Sequence, residues 1–149
     1  MASWAEVAAE VPDLAARVRS AFTAGRHATV ATLRADGSPR ISGIEVEFGD
    51  DGELRLGSMP GARKSDDLRR DPRFALHSPT ADPGEDGANW PGEAKVAGRA
   101  VETRRQDDGA SVFRLDLTEV VWTGLTDDRS ALRILSWHPG RGLEDRTRT

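Results

Sequence analysis

The spacing of apolar positions along the chain changes character near Gly25. Up to that point Val11, Leu14, Ala15, Val18 and Phe22 recur at helical intervals, and Gly25 is a suitable terminator. Ser3 with Glu6 forms a capping-box pattern, and Pro12 interrupts or restarts the helix. One or two N-terminal helices ending near Thr23 are predicted, lying as a lid over a sheet.

Beyond Gly25 the period falls to two. His27 to Arg34 is β-branched and alternating, and Ala35-Asp36-Gly37-Ser38 is a strong turn signal. Pro39 to Phe48 reads as the partner strand, with Ile41, Gly43, Val46 and Phe48 facing inward. The change of parity between Gly43 and Val46 predicts a bulge there. Glu53 to Ser58 completes a three-stranded meander. Met59 to Arg70 reads as a loop opening into a short helix, which Asp71-Pro72 ends.

Arg73 to Ser78 predicts a fourth strand, and the Pro-, Gly- and acid-rich stretch from Pro79 to Gly92 a loop. Glu93 to Thr103 is a fifth strand whose alternation breaks at Val101. Ser111 to Thr126 is a long strand bending near Asp116 or Thr118, and Ala131 to Trp137 the last strand before a polar tail from His138. Six or seven antiparallel strands around one short helix suggest a closed, mainly β barrel. No linker divides the chain, so a single domain over residues 1–149 is expected.

Composition narrows the function. The 149 residues are enough for a real core, and a net charge of -4 argues against a general nucleic-acid or membrane-surface binder. The absence of Cys excludes disulfides, thiolate metal sites and cysteine nucleophiles. No signal-peptide pattern opens the sequence and no apolar run of about eighteen residues occurs, so a cytoplasmic protein is expected.

The stretch from Gly57 to Arg73 carries the chemistry. A strand ends in Gly57-Ser58, and a Pro-Gly loop leads to a helix with Arg63 and Lys64 in its first turn. Backbone N–H groups at a helix start bind anions, whereas cations there oppose the helix dipole. The placement makes sense if a phosphate monoester sits between helix start and side chains, Arg offering a planar fork and Lys a point charge. The alternative is that Arg63 and Lys64 pair with Asp66, Asp67 or solvent.

The order of these pieces is informative. The turn Asp36-Gly37-Ser38-Pro39-Arg40, the strand Leu54-Arg55-Leu56-Gly57-Ser58, then Arg63-Lys64, Leu68 and Asp71-Pro72-Arg73 resembles the pyridoxamine 5'-phosphate oxidase-like superfamily. These are split β-barrel proteins that bind FMN or the deazaflavin F420. The resemblance runs from His27 through Trp137 and includes Lys95-Val96-Ala97-Gly98-Arg99-Ala100. It implies that Arg40, Ile41, Ser42 and Gly43 line the isoalloxazine edge and phosphate. Gly57 and Ser58 would meet the ribityl-phosphate arm, and Arg63 with Lys64 its phosphate. Arg40 has a solvent salt bridge as its alternative, and Ser58 a loop cap. The resemblance also implies a homodimer in which the second subunit completes each site.

Departures from the family pattern matter. Glu45 stands where the true oxidases place a lysine for substrate phosphate, so vitamin B6 oxidation is not expected. Ala62 replaces a hydroxyl residue before the basic pair, and Trp137-His138-Pro139-Gly140-Arg141-Gly142 only loosely matches the family's C-terminal segment. His27, His77 and His138 lack metal-site spacing. Trp90 is a core or interface candidate that could instead cover the cofactor ring.

The expected function is an FMN- or F420-dependent oxidoreductase acting on a small molecule. The Arg-rich composition, with Arg69, Arg70 and the Arg141-to-Arg148 tail available for a polyglutamate, leans toward F420. The alternative is a non-catalytic flavin or haem carrier, with His77 or His138 as axial ligand.

Overall fold

A computed structural model describes residues 1–149. Two helices, α1 (Trp4–Glu10) and α2 (Pro12–Thr23), precede β1 (Ala28–Leu33), β2 (Pro39–Phe48) and β3 (Leu54–Ser58). The short helix α3 (Arg63–Arg70) leads to β4 (Arg73–His77), β5 (Glu93–Arg105), β6 (Ser111–Leu125), β7 (Leu132–His138) and β8 (Gly142–Arg148).

All strand pairs are antiparallel, in the order β3-β2-β1-β4-β5-β6-β7-β8. A further pairing of β3 with β6 closes the first six of these neighbours into a barrel. Closure removes the free edges that an open six-stranded sheet would expose. The hairpin β7–β8 continues outward from β6. Strand β8 was not foreseen in the tail; it pairs with β7 along its whole length, and six of its seven residues are exposed.

The barrel interior and the inner faces of α1 and α2 form one cluster of 26 buried residues, including Leu54, Leu56, Phe113, Leu115 and Trp137. The predicted capping box is present: Glu6 N–H donates to Ser3 Oγ (3.2 Å), and Ser3 N–H donates to Glu6 Oε2 (2.7 Å). Pro12 opens α2, where its missing N–H leaves no orphan donor. Trp4 and Phe22 meet Phe48 edge-on, with centroids 4.9 and 6.4 Å apart, so the helices are joined to the barrel through β2.

The inward face of β2 differs from the expectation. Its register with β1 and β3 is unbroken, with no bulge between Gly43 and Val46. One parity therefore holds throughout: Arg40, Ser42, Ile44, Val46 and Phe48 are the more buried, while Ile41 is 74% exposed and Gly43 lies on the outer face. The apolar pattern misled because two polar residues, Arg40 and Ser42, take inward positions. Real irregularities occur between β5 and β6. Thr118 is passed over where Ala97 and Gly98 pair with Glu119 and Leu117, within the segment where a bend was expected. Gly98 is required there, since a Cβ would lie 1.9 Å from the Asp116 carbonyl oxygen.

Candidate functional site

A cleft of about 600 Å³ opens on the outer side of the barrel where β2, β3 and β6 meet the start of α3. Cross-strand pairing of Glu45 with Gly57, and of Gly57 with Val112, lays its floor. Gly43 and Gly57 leave that floor without side chains: a Cβ on Gly43 would meet nothing within 4 Å, and one on Gly57 only the Ser111 carbonyl at 4.0 Å. A flat ring can approach the backbone in such a place, which any larger residue would obstruct.

The wall opposite β2 is the junction of β3 with α3. Ser58 ends β3 facing inward, and its hydroxyl shares a hydrogen bond with that of Ser65 in the first turn of α3, both side chains being buried. The bond pins helix start to strand end. Ala62 provides the helix with no side-chain cap, so its first N–H groups are not met by a cap of its own.

Further along α3, every acid is engaged. Asp66 accepts from Arg69 (3.1 Å), and Arg69 also reaches Glu102 (2.6 Å) and Ser111 Oγ (2.7 Å). Asp67 is 1% exposed and accepts from Arg40 Nε (2.7 Å), Thr32 Oγ1 (2.8 Å) and Arg70 Nη2 (3.3 Å). Burial pushes the Asp67 carboxyl up, but the bonds from Arg40 and Thr32 and the charges of Arg40 and Arg70 outweigh it and hold it below its ordinary value. Arg63 and Lys64 take part in no ion pair; the acids they might have used belong to other arginines.

Of the residues singled out by sequence, Gly43, Gly57, Ser58 and Lys64 line this one cleft. Arg63 is exposed beside it, Ile41 points outward along β2, and Ser42 points inward. Arg40 is the half-buried partner of the buried Asp67, a pair that anchors α3 to β2, and it does not line the cleft. Sequence reasoning did not bring Ser111, Val112 or His27 here. The β3–β6 pairing that brings Ser111 and Val112 carries no local signal, whereas His27 reaches the cleft beside Glu45 through the β1–β2 hairpin.

Trp90 lies elsewhere, in a cleft of about 370 Å³ with Trp122 and Arg129. Each histidine faces a glutamate: His27 and Glu45 at 3.6 Å, His77 and Glu93 at 3.2 Å, His138 and Glu119 at 2.9 Å. No helix is long and apolar enough to cross a membrane.

No protein-family model matches the chain, and no curated protein matches it. Solved structures do. A pyridoxamine 5'-phosphate oxidase-related, FMN-binding protein from Nostoc punctiforme is 12% identical, with 99% of each chain covered and a TM-score of 0.62. The chain has the split-barrel fold of the pyridoxamine 5'-phosphate oxidase-like proteins. PhzG from Burkholderia lata, solved with tetrahydrophenazine-1-carboxylic acid, shares this split barrel at 14% identity and a TM-score of 0.62, over 90% of this chain and 85% of its own. A heme-binding protein from Mycobacterium smegmatis has 20% identity and a TM-score of 0.54, over 88% of this chain and 56% of its own. Split barrels so named include binders of different groups, so the fold alone does not select a ligand.

Proposed function

We propose that the cleft at the start of α3 binds FMN by its phosphate, and that the protein is a flavin-dependent oxidoreductase acting on a small molecule. The observation that carries this reading is the pair of unpartnered cations, Arg63 and Lys64, in the first turn of an α3 whose acids are all engaged by other groups. Two cations at the positive end of a helix dipole are unfavourable alone and become favourable around a phosphate.

Lys64 and Arg63 would hold that phosphate, with Gly43 and Gly57 leaving room for the ring over the strand backbone. The flavin, when bound, supplies hydride-transfer chemistry; the chain binds it, orients it and limits its contact with water. FMN is favoured over F420 because the cations expected to receive a polyglutamate tail are used otherwise. Arg69 and Arg70 are bonded to Glu102 and Asp67, and the tail arginines from Gly142 on belong to β8, beyond β7. The haem-carrier alternative draws no support from His77 or His138, neither of which lines the cleft.

A homodimer belongs to the same proposal. Ile41, Ala31, Ala75 and Ala97 align across β2, β1, β4 and β5. All four lie on the outer face, flat and apolar enough for a second copy of the chain.

The test is titration of the purified protein with FMN and with F420, followed by tryptophan quenching, alongside its molar mass in solution. Tight binding of FMN alone by a dimer is expected. Binding of neither by a folded dimer would overturn the oxidoreductase reading in favour of a carrier of another group.

A further inference from the structure

The charges around the cleft are divided between its two ends, and this bears on what reacts there. Lys64 stands at the α3 end and, on the reading above, is committed to phosphate. The other ionised side chains lining the cleft are Glu45 and Glu47, both on β2, with His27 beside Glu45. Glu47 lies across from Arg55, which is itself bonded to Asp51. Glu45 lies across from Gly57, which offers it no side chain. Its carboxylate is 63% exposed, makes no hydrogen bond, and has only the His27 ring at 3.6 Å. Arg104 is on the far side of Val112, outside the lining of this cleft, in the same cross-strand row.

An unbonded carboxylate beside a bare stretch of floor is an acceptor for N–H donors and repels anions. Resting on the cofactor reading, we infer that Glu45 selects the substrate by charge: the cleft takes a small molecule that presents an ammonium or similar N–H-rich cation to the exposed Glu45 carboxylate, at the edge of the space left to the ring, and turns away phosphorylated or carboxylated ones. Glu45 is a specificity determinant here. The acceptor is supplied by β2, and the space over Gly57 and Gly43 stays with the ring.

The experiment uses two probes of nearly equal size and opposite charge, 4-(aminomethyl)pyridine and pyridine-4-carboxylate. Their binding is measured by saturation-transfer NMR on the whole protein, before and after saturation with FMN. The wild type is expected to prefer the amine by about fivefold, as a partly exposed charge would give. Glu45→Gln should bring the two to parity, and Glu45→Lys should reverse the preference. Equal binding of both probes to the wild type, or a preference that Glu45→Gln leaves unchanged, overturns the inference. The FMN titration on the same samples reports separately on the cofactor. A Glu45-dependent preference without FMN binding supports charge selection while rejecting the flavin, and FMN binding without the preference does the reverse.

Discussion

At the far end of α3, Arg69 and Arg70 each reach an acid and lie where the helix dipole favours positive charge. At the near end, Arg63 and Lys64 reach none and lie where the dipole opposes them. The same residue types are thus used in two ways within one eight-residue helix. The far end, with Asp67 buried beneath it, attaches α3 to β1 and β2 through Thr32 and Arg40. The near end is held in place by Ser58 and Ser65 and leaves its cations for something else. The contrast separates charge that maintains the fold from charge available to a ligand.

The largest expected effect breaks the far end. Asp67→Ala takes the buried acceptor from two donors, Thr32 and the half-buried Arg40, and the lost bonds to a charged group together cost about 3 kcal/mol. Chemical denaturation should show that loss at neutral pH. A loss near zero would mean that Arg40 finds water or another acceptor, and the helix anchor would then lie in Ser58 and Ser65.

The near end is tested by Arg63→Ala combined with Lys64→Ala. Removing two charge-assisted contacts to phosphate should weaken FMN binding by about 100-fold while the far-ultraviolet circular dichroism is unchanged. Unaltered affinity in a folded double variant would sink the phosphate assignment. Added salt should weaken wild-type binding and have little effect on the variant, since the variant lacks the charges that salt screens.

Acid sharpens the comparison from the other side. The folded-state pKa of Asp67 lies below its ordinary value of 3.8, so its ionisation contributes stability that is complete above that value. The contribution is lost as pH falls through the lower, folded-state pKa. Between pH 6 and pH 3 the wild type should therefore lose more stability than Asp67→Asn, which has no carboxyl to protonate. Parallel curves for the two proteins would show that Asp67 titrates alike in the folded and unfolded chain.

Much of this architecture was legible because its signals are local. The Ser3–Glu6 capping box, Pro12 at the start of α2 and the bounds of β2 and α3 follow from residues next to one another. Strand β8 was not legible, because an exposed edge strand needs no apolar alternation and Leu143 is its one large hydrophobic residue. The inward face of β2 was misread for a different reason. Arg40 turns inward to meet Asp67, a residue 27 positions away that looks in sequence like any solvated helix charge. Gly57 and Lys64 could be placed near one another from the short Pro-Gly loop between them. That Ser111 and Val112 join them depends on the closing β3–β6 pair, which only the whole barrel determines.

The smallest predicted effect has the most informative sign. Without ligand, Arg63 and Lys64 sit at the positive end of the α3 dipole with no anion to balance them. Replacing both with Ala should therefore stabilise the apoprotein, by about 0.5 kcal/mol from relief of the dipole. In a chain of this size that is about 1–2 °C in Tm. Arg69→Ala should act oppositely, because it removes a favourable dipole contact together with the bonds to Glu102 and Ser111. Calorimetry on apoprotein compares the two directly, and saturating FMN should invert the order, since only the wild-type first turn gains ligand-linked stability. If the near-end double variant is instead destabilised without ligand, Arg63 and Lys64 have structural partners in solution, and the distinction between the two ends of α3 fails.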